Sequence, residues 1–79
     1  MSLVIFTDIH GQIYVATWNS FIKNYSVKNG FAIMNKKVKC YVDMCIKEAN
    51  YKVICVKGDN EVQLLLCAYH FSALYYHVD

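Results

Sequence analysis

The chain has 79 residues, 57% of them hydrophobic and 18% charged, with no proline, which makes one domain (1–79) whose core only just outweighs chain entropy and excludes a disordered tail. The net charge of +2 is small for a dedicated nucleic-acid binder. No apolar run reaches the roughly 18 residues that span a bilayer, and no basic stretch leads into a cleavable apolar segment, so the chain reads as cytoplasmic, without membrane contact, and its four cysteines as reduced.

In chain order, Leu3 to Thr7 and Gln12 to Thr17 are rich in β-branched and aromatic residues, and Asp8, Ile9, His10 and Gly11 between them supply turn chemistry. They predict an opening hairpin. Trp18, Phe21, Ile22 and Tyr25 then fall at i, i+3, i+4 and i+7, one stripe of a helix, with Thr17 placed to cap it. Asn29 and Gly30 end that helix or, in an all-β chain, form a hairpin turn.

The segment from Lys36 to Asn50 fits two periods. As a helix it buries Val38, Tyr41, Val42, Cys45, Ile46 and Ala49; as a strand it alternates Val38, Cys40, Val42, Met44 and Ile46 with polar neighbours. Its length favours the helix. Tyr51 to Lys57 and Glu61 to Tyr69 flank Gly58, Asp59 and Asn60 and predict a second hairpin. Leu64, Leu65 and Leu66 place bulk on both faces, which implies a central strand. Ala73 to Val78 reads as a short closing strand. The expected fold is α+β, a small single domain of order ββααββ(β) with an antiparallel sheet and helices on one face. An all-β meander is the alternative.

Asp8, His10 and Gly11 directly after a strand resemble the first metal-binding signature of calcineurin-like metallophosphoesterases. The resemblance covers Val4 to Gln12 and implies that Asp8 and His10 would supply two ligands of a hydrolytic two-metal site. The remainder departs from that family: Asp59 stands where its asparagine would be, and no late Gly-His-x-His is present. A plain hairpin turn is the simpler reading.

Cys40-x4-Cys45 and Cys67-x2-His70 have loosely zinc-like spacing, with His77 nearby. With Cys40 and Cys45 inside the expected helix and Cys67 inside the expected strand, the thiols point at different surroundings, and the sequence predicts buried free thiols with no metal and no cofactor. No serine lies in a glycine-framed elbow, and Gly11, Gly30 and Gly58 form no phosphate loop. An enzyme is therefore not expected, and no catalytic residue is assigned.

Twelve aromatics, seven of them tyrosines, are the most unusual feature. Tyrosine combines a large apolar ring with a polar tip and suits interfaces. Tyr69, Phe71, Tyr75, Tyr76 and His77 crowd the end of the chain and predict a partner surface or a homodimer contact. The expected function is a small non-catalytic protein-binding module. Lysine as the only strong base, with the abundance of Ile, Asn, Tyr and Phe, bears the imprint of AT-rich coding and fits a phage- or virus-encoded inhibitor or modulator of a host protein. The alternative is non-specific nucleic-acid binding. All eight lysines fall between Lys23 and Lys57, where Asp43 and Glu48 are the only acids, a formal +6. Lys36, Lys37, Lys39 and Lys47 would form the anionic-partner surface. Keeping an apolar domain soluble is the plainer role for them.

Overall fold

The opening hairpin forms where the residues predict it. In the computed structural model, which describes residues 2–76, β1 (Leu3–Asp8) pairs antiparallel with β2 (Ile13–Thr17). Strand alternation sends Val4 and Phe6 into the core and leaves Leu3 and Ile5 outside. Thr17 then caps α1 (Trp18–Asn24), its hydroxyl oxygen accepting from the Ser20 N–H at 3.2 Å. The predicted stripe packs inward, with Trp18 and Phe21 buried and Ile22 and Tyr25 against the core.

Beyond α1 the chain departs from expectation. Asn29 and Gly30 neither end a helix nor turn a hairpin. They lie within β3 (Ser26–Ile33), where the register against β4 shifts between Val27 and Phe31 and Gly30 takes a φ of 108°. A bulge uses the freedom that makes glycine common in turns.

The helix expected over residues 36–50 is absent. Lys39 bridges Glu48, and residues 41–43 are wedged between β1 and β5. There the Tyr41 N–H donates to the Leu65 carbonyl at 2.9 Å, the Asp43 N–H donates to the Leu3 carbonyl at 2.6 Å, and Val42 bridges Val4. The strand period prevails locally: Cys40 and Val42 are buried while Lys39 and Asp43 are exposed. Docking satisfies backbone groups that β1 and β5 leave open, since those strands pair directly only at Thr7 with Gln63 and Asp8 with Val62.

The second hairpin, β4 (Tyr51–Lys57) and β5 (Asn60–Leu66), turns through Gly58 and Asp59, with Gly58 at φ 60°. The sheet order is β2-β1-β5-β4-β3, all antiparallel, so β5 is central as its leucine run implies. The strand ends at Leu66, short of the expected Tyr69. Ala68–Tyr75 forms α2 in place of the closing strand, because Cys67 caps it and Phe71 and Leu74, three apart, turn one face onto the sheet. Residues 77 and 78 of that expected strand lie outside the described residues. The fold is α+β in the order ββαβββα, with α1 and α2 joined to Val4, Phe6, Val53, Val62, Leu64 and Leu66 in one core.

Candidate functional site

Two parts of the chain that are distant in sequence meet at the start of α2. Cys40 and Cys45 come from the wedged segment, and Cys67 and His70 from the cap and first turn of the helix. Their four ligand-type atoms lie within 4.8 Å of one another. Cys67 Sγ is 3.3 Å and Cys40 Sγ 3.6 Å from His70 Nδ1, and Cys45 Sγ is 3.8 Å from Cys67 Sγ. This overturns the expectation that the thiols face different surroundings, and the physical reason is the missing helix. A turn in which the Cys45 N–H donates to the Val42 carbonyl at 3.2 Å, with Met44 at φ 68°, folds Cys45 back toward Cys40.

The backbone around the cluster is arranged for sulfur. Burial pushes the Cys40 thiol up to about 12, against the opposing N–H groups of Cys67 and Val42. At Cys45 desolvation also raises the pKa, but the Lys47 N–H, the neighbouring thiols and the Lys47 charge outweigh it and hold the thiol below its ordinary value. The Cys67 sulfur accepts from the His70 N–H at 3.5 Å. Burial, with the Lys47 charge, lowers the pKa of His70 and so favours the neutral imidazole. Its ring is fixed edge-on against Trp18 at 5.3 Å and Tyr69 at 5.1 Å. A half-buried imidazole nitrogen facing sulfurs, backed by donors aimed at those sulfurs, is suited to hold a soft cation. Cys55, by contrast, is fully buried beneath the sheet and outside the cluster, its pKa pushed to about 12 by desolvation alone.

The expected surface residues separate. Tyr69 and Tyr76 are exposed and Tyr75 partly so, but Phe71 is buried, stacked on Tyr51 at 4.2 Å and packed against Phe31 at 4.7 Å. Phe71 therefore completes the core and presents nothing to a partner. His77 lies outside the described residues. Lys36, Lys37, Lys39 and Lys47 are all exposed on the segment between β3 and β4, with Lys47 Nζ 5.5 Å above the Tyr69 ring.

The Asp8 carboxylate, to which the phosphoesterase resemblance would assign a metal, is engaged by its own turn. One carboxylate oxygen of Asp8 accepts from the His10 and Gln12 N–H groups at 2.8 and 2.9 Å, and the other accepts from the Tyr14 hydroxyl at 3.0 Å. The carboxylate organises its own turn. Partial desolvation works against ionisation, yet these hydrogen bonds prevail and hold Asp8 below the usual carboxylate range.

Sequence reasoning missed a second feature, the outer face of the first hairpin. Leu3, Ile5, Ile13 and Val15 are 39%, 48%, 72% and 60% exposed, and the ladder places Ile5 directly opposite Val15. They sit on the side of the sheet away from Val4 and Phe6, and Ile5 and Ile13 line a shallow groove with Tyr41. Their signal was the apolar character of both faces of the hairpin, a mark of a strand covered twice. No helix among the described residues is long and apolar enough to cross a membrane. No protein-family model matches the chain, and comparison with curated proteins and with solved structures finds no match.

Proposed function

We propose that this chain is a small non-catalytic protein-binding module that works through the outer face of β1 and β2, and that a second copy of the chain is the partner this surface fits. The carrying observation is the exposed strip of Leu3, Ile5, Ile13 and Val15 on an edge hairpin. Natural edge strands are usually blunted by charge or proline. β2 is Ile-Tyr-Val-Ala-Thr and carries neither. Two copies related by a twofold axis would meet there without like-charge repulsion and could continue the sheet edge to edge, each presenting the same patch. A role as inhibitor or modulator of a host protein draws its support from composition and would use the same face.

The test is the concentration dependence of mass in solution. Sedimentation equilibrium of the wild type is expected to show a monomer–dimer equilibrium that Ile5→Lys and Val15→Lys abolish with little effect on unfolding, since both side chains are exposed. A wild type that stays monomeric up to millimolar concentration refutes the dimer. Dimerisation unchanged by both substitutions refutes the assignment of the face.

A further inference from the structure

We propose that Cys40, Cys45, Cys67 and His70 bind one zinc ion in a closed tetrahedral site that clasps the segment between β3 and β4 to the start of α2. The inference is independent of the docking face. Tetrahedral zinc with Zn–S of about 2.3 Å and Zn–N of about 2.0 to 2.1 Å sets its ligand atoms about 3.8 Å apart for two sulfurs and about 3.5 Å for sulfur and nitrogen. The separations here are 3.8 Å between Cys45 and Cys67 and 3.6 and 3.3 Å from the imidazole nitrogen to Cys40 and Cys67. Cys40 and Cys45 are separated by four residues, within the spacing that structural zinc sites use.

Three further observations converge on this site. Sulfur is a weak hydrogen-bond partner, and the hydrogen-bond partners of His70 Nδ1 among the described residues are the Cys40 and Cys67 sulfurs, so a metal satisfies the nitrogen better than the thiols do. The 17 positions between Ile33 and Tyr51 hold no named helix or strand, only isolated bridges. Loops of that length inside a small domain need an anchor, and domains below about 80 residues commonly take one from a metal. Finally, three thiolates and one divalent ion leave a net charge of −1, and the Lys47 cation lines one shallow pocket with Cys45 and His70.

The donor set selects the ion. Three sulfurs and one imidazole are too soft for magnesium or calcium, and four atoms within 4.8 Å surround one ion and not a polynuclear iron–sulfur cluster. On binding, the three thiols release their protons to solvent as three Zn–S bonds form. Neutral His70 gives its Nδ1 lone pair and keeps its proton on Nε2. No oxidant or reductant is involved. With all four positions filled by the protein, no position is open for water or substrate, so the ion is structural.

Elemental analysis of protein purified under reductant is expected to give one zinc per chain, released by chelator. Replacement with Co2+ should produce the visible bands of tetrahedral thiolate coordination. Cys45→Ser, at a half-buried position on the loop, should weaken zinc binding by more than the roughly 100-fold upper end for losing an outer-shell partner. Cys55→Ala should leave stoichiometry and spectrum unchanged. Folded, reduced protein that holds no zinc and gives no Co2+ bands overturns the proposal, as does equal metal content in wild type and Cys45→Ser with equal affinity. Failure of the dimer test leaves these readouts unmoved, so the two proposals fail separately.

Discussion

Val42 sits at the point where the wedged segment meets the sheet, 1% exposed and bridged to Val4, which is itself fully buried. Val42→Ala deletes two carbons from that contact. At about 0.8 kcal/mol per buried carbon, plus a cavity that the close-packed surroundings only partly fill, the cost is about 2 to 3 kcal/mol. A domain of this length has a total stability of about 4 to 12 kcal/mol, so the loss is a large fraction of it and lowers Tm by roughly 8 to 24 °C. The assay is urea unfolding of zinc-loaded protein under reductant, read by Trp18 fluorescence, and repeated after chelation. If the ion holds the segment in place, chelation frees it, and in the metal-free protein Val42→Ala should cost under about 0.5 kcal/mol. The shortfall between the two states is the coupling between clasp and wedge. A cost below about 1 kcal/mol with zinc bound would show that the segment is not docked between β1 and β5. An equal, large cost with and without metal would show that packing alone holds it.

Two further outcomes follow from single residues. Asp8 has a folded pKa below its ordinary value, so its charge contributes stability that is fully present above about pH 4 and is lost as pH falls through the depressed folded pKa. The stability difference between wild type and Asp8→Asn, measured by urea unfolding from pH 6 to pH 2, should narrow toward the acid end, and a constant difference would contradict the hydrogen-bonded turn. Met44 holds a φ of 68° while 83% exposed. Met44→Gly should therefore relieve backbone strain and raise stability by about 0.5 to 1 kcal/mol in thermal unfolding, net of the added chain entropy. A loss of stability would argue that the turn is shaped otherwise.

Much of the fold was legible where local signals agreed. The two hairpins carry turn residues between β-rich runs, and α1 carries both a cap and a stripe, so period, propensity and punctuation name the same element. The leucine run of β5 declared its central place because only a strand covered on both sides can bury Leu64, Leu65 and Leu66 together. The candidate metal ligands were visible as Cys40-x4-Cys45 and Cys67-x2-His70, and were discounted only because a helix and a strand would have pointed them apart. Phe71 was misplaced for a related reason. In an extended tail it would have joined Tyr69 and Tyr75 on a surface, whereas the helix turns it onto Tyr51.

The residues by themselves determined the hairpins, the first helix, the sheet's buried face and the inventory of thiols and imidazole, because each depends on neighbours a few positions apart. Tertiary structure alone decided residues 36–50 and 68–75. The first segment satisfies two periods equally, and what breaks the tie is the unpaired backbone of β1 and β5 some 20 or more residues away, waiting to accept it. The second is rich in residues that suit strands, and it coils because a cysteine caps it and the sheet offers Phe71 and Leu74 a place to pack. The meeting of four ligand atoms follows from both choices at once, so no local pattern could have announced it.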